Sequence, residues 1–177
     1  DTGSDPKQAQ VATRTLAEDH DALAIIGPFS SGEARVAFGA GERIGIVQIP
    51  NAASTPGLAK DKPFAFRVTE DEGKQLNRML SSLTRKGLAA KTAAIMYESD
   101  EFISKIVGTA VMPPGFKAVG IELTSEPEGF PRDAFDLSPQ IAKIMQNPPD
   151  VLGVGAILDG AVKVLKEAKR QGFKGRM

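Results

Sequence analysis

Apolar residues follow two rhythms along this chain: short unbroken runs bounded by Asp, Gly or Pro, and longer stretches in which they recur every three or four positions. The first rhythm predicts strands buried on both faces, the second amphipathic helices. Ser4 and Asp5 suit a helix cap with Pro6 at the favoured first position, and Ala9, Ala12 and Leu16 carry that helix to about Asp19. Ala22 to Ile26 predicts a buried strand, and the loop Gly27-Pro28-Phe29-Ser30-Ser31-Gly32 leads into a helix ending near Arg43. Ile44 to Ile49 predicts a second buried strand, closed by Pro50 and the loop Asn51-Ala52-Ala53-Ser54-Thr55-Pro56.

Phe64 to Val68 predicts a short strand. Glu70, Asp71 and Glu72 then stand where the positive end of a helix favours carboxylates, ahead of an apolar face of Leu76, Met79, Leu80 and Leu83 and a stop at Gly87. The alternation continues with a strand Thr92 to Tyr97, a helix from about Asp100 to Met112 and a strand Ala118 to Leu123. A helix bearing Phe135 to Met145, a strand Val151 to Val154 and a helix Asp159 to Gln171 complete it. Strands alternating with helices predict an α/β protein with parallel sheets covered on both faces by right-handed crossovers. The pattern runs twice, on either side of residues 63–69, which predicts two doubly wound lobes: part of a first lobe over 1–66 and most of a second over 67–177. Residues 1–5 read as a strand end and a helix cap, so the chain is expected to begin inside a domain.

Composition narrows the chemistry. Lys plus Arg and Asp plus Glu balance at 22 each, with no dense basic run, which argues against nucleic acid or an anionic membrane as partner. The chain has no Cys, which excludes thiol catalysis, disulfides and thiolate zinc sites, and its one His, His20, leaves little for a Ser–His pair or a histidine metal site. No apolar run is long enough to span a bilayer. Gly39-Ala40-Gly41 with Gly45 has neither the spacing nor the placement of a dinucleotide loop. Glu98, Asp100 and Glu101 read as helix-start acids, though a metal or phosphoacceptor cluster has the same composition. In a doubly wound sheet, ligands bind beyond the carboxyl ends of the strands. Ser30 and Ser31 sit between a strand and a helix, where a serine either caps the helix or presents its hydroxyl outward, and where helix amides favour an anion. The loop at 51–55 reads equally as an ordinary turn or as a second cluster of small polar groups around accessible backbone.

Several segments, in order, resemble a known family. They are Asp5-Pro6-Lys7-Gln8-Ala9, Ile26-Gly27-Pro28-Phe29-Ser30-Ser31-Gly32, Ile49-Pro50-Asn51-Ala52-Ala53-Ser54-Thr55-Pro56, Phe66-Arg67-Val68, Ala94-Ile95-Met96-Tyr97, and the run from Lys166 to Phe173. Together they resemble the type I periplasmic binding proteins of the leucine/isoleucine/valine-binding class. The resemblance implies a periplasmic, non-enzymatic receptor without cofactor, whose two lobes close around a small carboxylate-bearing solute, a branched-chain amino acid or an aromatic acid. It implies delivery of that solute to the membrane permease of an ABC transporter, with no membrane insertion of its own. The same fold also serves as the ligand-sensing domain of regulators and receptors. By this resemblance Ser31 and Ser54 supply hydroxyls, Ala52 and Ala53 main-chain contacts, and Ser30, Gly32 and Asn51 the rest of the two first-lobe loops. Tyr97 ends the first strand of the second lobe and Phe102 follows it; Phe102 stands where a Tyr-Gly pair is common, which removes a hydroxyl and a hinge-like glycine. Ile157 and Leu158 fall at another ligand-facing segment and suit an apolar ligand body. The family's amine-binding acid and the strand ahead of the first helix are expected to lie outside residues 1–177.

Overall fold

A computed structural model describes residues 1–87 and 90–177 of the protein. The chain divides into two compact units, Asp1–Glu72 and Gly73–Met177, and every strand pairing within them is parallel.

In the first unit, helix α1 (Pro6–Arg14) starts on the Asp5 cap, whose carboxylate accepts from the Lys7 amide, and continues as a wider π-helical turn over Thr15–Asp19. Strand β1 (Ala24–Ile26) pairs with β2 (Val47–Ile49), with Ile26 opposite Ile49. Helix α2 (Ser31–Ile44) makes the crossover between them. Ile44, expected to open the second strand, instead closes the helix, because Gly45 turns left-handed (φ 84°) and returns its amide to the Gly41 carbonyl. The expected strand Phe64–Val68 reduces to one bridge at Ala65, flanked by the bonds Gln48 N to Phe64 O and Phe66 N to Gln48 O. Residues beyond it remain tied to the first unit: Arg67 donates to the Thr55 carbonyl at 2.6 Å, Thr69 to the Asn51 carbonyl at 3.2 Å, and the Glu72 amide to the Ser54 carbonyl at 2.9 Å. These bonds place the division between Glu72 and Gly73, later in the chain than the 66/67 boundary expected from sequence.

The core of this unit gathers Ala34 and Phe38 of α2 with Ala53, Leu58 and Ala65. Gln48, buried on β2, donates to the Thr13 hydroxyl of α1 at 3.2 Å, and Gly41 makes room for it, since a Cβ there would overlap the Gln48 amide.

The second unit is built around β3 (Thr92–Glu98). Strand β6 (Val151–Gly155) lies along one of its edges, Ala93 to Tyr97 facing Val151 to Gly155. The other edge is shared by β4 (Glu122–Leu123) at the start of β3 and β5 (Glu128–Phe130) at its end. Side chains of β3 alternate between two cores as strand geometry requires. Ala94 and Met96 join Phe130, Leu152, Ile141 and Ile144 of α6 (Ser138–Ile144), and Val164 and Ala168 of α7 (Leu158–Arg170). Ala93 and Ile95 join Leu80 of α3 (Glu72–Arg85) and the segment Val107, Met112 and Phe116 on the opposite face. That segment runs from α4 (Phe102–Ile106) through a π-helical turn (Val107–Val111) into α5 (Met112–Ala118).

Three sequence expectations change here. The helix expected to stop at Met112 resumes with Pro113 and Pro114 in the first turn of α5, where no amide is needed from them. The strand expected from Ala118 therefore begins only at Glu122, and β5, interrupted from β4 by Thr124–Pro127, was not expected at all. Phe135, expected on a helix, is fully exposed ahead of α6, which starts at Ser138 where Asp136 accepts from the Ser138 amide at 2.8 Å. The start of β3 is pinned mutually: the Asp150 carboxylate accepts from the Lys91 and Thr92 amides at 2.7 and 3.1 Å, and the Thr92 hydroxyl accepts from the Asp150 amide at 3.0 Å.

Candidate functional site

In the first unit, β1 and β2 run parallel, so both following loops emerge at the same carboxyl edge. Ser30 closes the first loop as the cap of α2: its hydroxyl accepts from the Glu33 amide at 3.2 Å, and the Glu33 carboxylate accepts from the Ser30 amide, completing a capping box. Thr2 also donates to the buried Glu33 carboxylate. A negative charge thus already sits at the positive end of α2, so a ligand anion here has to be met mainly by the second loop.

Ser31 joins the two loops. Its hydroxyl oxygen accepts from the Ser54 amide at 3.1 Å and the Thr55 amide at 3.2 Å, and the residue is buried. Both lone pairs are thereby used and the hydroxyl proton remains to donate. Gly32 and Ala53 are buried behind it, Ala52 and Ser54 are half-buried, and Asn51 is exposed. Thr55, absent from the residues singled out by sequence, is buried with its hydroxyl oxygen unpartnered. Its amide is held by Ser31 and its carbonyl by Arg67, which fixes the residue while leaving that one polar group unused. A Ser-Thr-Pro run looks like turn punctuation; nothing in the sequence separates this hydroxyl from its neighbours.

In the second unit the carboxyl ends of β3, β5 and β6 lie side by side, with Tyr97 opposite Gly155 and Glu98 opposite Phe130. Tyr97 is half-buried in a bed of small residues: a Cβ at Gly108 would collide with its side chain, and one at Gly129 would press on the end of its ring. Glu101 caps α4 by accepting from the Ile103 and Ser104 amides, which sets Phe102, half-buried, as the first residue of that helix. Ile157 is half-buried at the cap of α7 and Leu158, the next residue, is 79% exposed. The four second-unit candidates therefore all stand at the strand ends of one sheet edge. Glu98, at the same edge, is wholly buried, accepts from the Ile157 amide at 3.4 Å through Oε2, and has no partner at Oε1. Burial pushes its carboxyl above the ordinary range; Asp100 and Glu101 reinforce that direction, while the Ile157 amide and the charge of Arg132 oppose it. Among the described residues no group of three or more His, Asp or Glu side chains converges to hold a metal, and no helix is long and apolar enough to cross a membrane.

Two units of parallel strand-loop-helix segments, each with its loops gathered at the carboxyl edge of its sheet, define the class. The periplasmic binding protein family model matches residues 1–177, and the chain belongs to that family. It is similar in fold to the leucine-binding protein LivK of Thermotoga maritima, with a TM-score of 0.87 at 21% identity, covering 99% of this chain and 49% of that one. The branched-chain amino acid transporter substrate-binding protein LivJ of Streptococcus pneumoniae, solved with isoleucine, gives 0.85 at 20% identity over 99% and 49%. An ABC transporter substrate-binding protein of Desulfitobacterium hafniense, solved with leucine, gives 0.75 at 17% over 99% and 51%. The chain thus spans about half the length of these solved relatives. No curated protein matches it.

Proposed function

We propose that the chain is part of an extracytoplasmic solute receptor that binds a small carboxylate-bearing ligand, a branched-chain amino acid or an aromatic acid, and hands it to the permease of an ABC transporter. The observation that carries this reading is the junction of the two first-unit loops. Ser31 holds the Ser54 and Thr55 amides, keeps one proton to donate, and lies beside a buried Thr55 hydroxyl with no partner. A carboxylate accepts hydrogen bonds on both oxygens and satisfies such groups at once. Ser54 and the backbone around Asn51, Ala52 and Ala53 extend the same polar surface. The apolar character of Phe102, Ile157 and Leu158 supports an aliphatic or aromatic ligand body, and the printed ligands of two solved relatives, isoleucine and leucine, have that form.

A thermal-shift screen of the full-length gene product against leucine, isoleucine, small amides and aromatic carboxylates tests the reading. Ligand at about 100 times its Kd stabilises the folded protein by about 2.7 kcal/mol, which raises the midpoint visibly. A shift with a carboxylate and none with the matching amide supports it; no shift with any of these compounds overturns it.

A further inference from the structure

Glu98 has no evident reason to be where it is. It ends the central strand of the second unit, has no exposed surface, and leaves one carboxyl oxygen without a partner. Burying such a group is unfavourable unless the site uses it. The use lies across the sheet edge. β6 ends at Gly155 opposite Tyr97, so the chain turns out of the sheet beside Glu98, and the first amide after the turn, that of Ile157, points to Glu98 Oε2. α7 then begins with no side chain of its own capping its first turn. The third residue of that turn is Gly160, and a Cβ at this position would overlap Glu98 Oε1. The carboxyl therefore sits at the mouth of α7 in the place from which a side chain at the third helical position normally reaches back to the cap residue's amide. A glycine keeps that space empty for it.

We propose that Glu98 is the positioning residue of the second unit's binding surface: borrowed from β3, it caps α7 and fixes the backbone from Ala156 to Gly160, and with it the aim of Ile157 and Leu158. This inference rests on the functional reading above, in which Ile157 and Leu158 meet the ligand body. It does not make Glu98 a ligand contact, since the side chain has no surface from which to reach one. It also gives Gly160 a role: the glycine is the complement of the carboxyl.

The test uses the full-length gene product and two readouts, calorimetric affinity for leucine and isoleucine and amide hydrogen exchange over residues 156–161. Glu98→Ala is expected to weaken binding about ten-fold, the scale of one lost hydrogen-bond anchor, and to speed exchange at Ile157 and the first turn of α7. Glu98→Gln, which keeps an acceptor of the same shape, is expected to restore both. Gly160→Ala, ordinarily favourable within a helix, is expected to weaken binding and speed exchange by displacing the carboxyl, but to add little in the Glu98→Ala background. Unchanged affinity and exchange in Glu98→Ala, or a lower Tm with affinity intact, or full additivity of the two substitutions, overturns the proposal. Should Glu98→Ala not fold, Glu98→Gln against Gly160→Ala decides in the same way: near-wild-type behaviour of the first with loss in the second supports it, and equal behaviour overturns it. If the wild-type protein binds neither amino acid, affinity is measured with the aromatic carboxylates instead; if it binds none of these, the functional reading fails separately, and the exchange data alone support or overturn the capping by Glu98.

Discussion

The two units use the same strand-helix grammar and reach different degrees of closure. In the second, β3 has neighbours along both edges and a packed core on each face, and its central side chains Ala93 to Met96 have no exposed surface. In the first, β1 pairs only with β2 among the described residues, and Leu23 and Ile26 are 96% and 75% exposed. Beside β1 lies a cavity of about 430 Å³ lined by Thr2, Ala9, Thr13, Leu16, Ile25 and Phe29. What holds the first unit together is correspondingly different: besides a small core of alanines around Phe38, it depends on polar ties such as Gln48 to Thr13, Ser31 to the 54–55 amides and Arg67 to Thr55. One half is held by apolar burial on two faces, the other by hydrogen bonds that also shape its loops.

That contrast can be attacked at graded strength. Phe130, wholly buried against Met96 and Leu152, should show the largest effect: Phe130→Ala is expected to cost about 3–5 kcal/mol in urea unfolding of the full-length protein. A cost under about 1 kcal/mol would mean that the second unit does not depend on its core as described. Ser31→Ala should come next, at about 1–3 kcal/mol, because two backbone donors lose their acceptor. Faster amide exchange confined to Ser54 and Thr55 would locate that loss, and wild-type exchange there would break the claim that polar ties carry the first unit.

The two ends of β3 should respond to acid with opposite signs. Burial raises the Glu98 carboxyl, so its contribution is fully present below the ordinary carboxylate value of about 4.3 and is lost as pH rises through its raised folded value. Amides of Lys91 and Thr92 lower Asp150, so its contribution is present above its ordinary value of about 3.9 and is lost as pH falls through the lowered one. Relative to wild type, Glu98→Gln should therefore gain stability between pH 4 and pH 8, whereas the deficit of Asp150→Ala should shrink on acidification. The Asp150 effect is the smaller, since that carboxylate is exposed and screened. Parallel pH-stability curves for the variants would refute both assignments. The smallest effect is expected at Leu23, where Leu23→Ser should change stability by no more than about 0.5 kcal/mol. A loss above about 1 kcal/mol would show this face to be covered in the native protein and would narrow the contrast between the units.

Much of the architecture was readable from spacing alone: the alternation, the α/β class, the helix stops at Gly87 and Gly172 and the two carboxyl-edge loops of the first unit. The misplaced boundaries share a cause. Ile44 and Ala118 are apolar at helix ends and continue the pattern of the following strand, so hydrophobicity cannot assign them; the left-handed glycines at 45 and 120 decide. Pro113 and Pro114 stop a helix in general but start one in α5, and β5 escapes notice because Glu128-Gly129-Phe130 has little strand character and pairs only by virtue of β3. At the site, Ser30 and Ser31 stood out because a serine before a helix has a local meaning. Glu98 stood out only as one of three helix-start acids, whereas it ends β3 and is buried, and Thr55 did not stand out at all, because what distinguishes both is burial and an unmet hydrogen bond, which arise only when distant segments meet.

The tie from Ser31 to Ser54 and Thr55 has a consequence for how this member of the family diversifies. Two loops separated by a full helix answer to one hydroxyl, so a mutation that reshapes either is judged against the other. New ligand preferences in this lineage should then arise by paired changes at 31 and 54–55, or by leaving that junction alone and altering the residues around it. The fold can try new loop surfaces cheaply at its periphery, while the junction at 31 and 54–55 is inherited nearly whole.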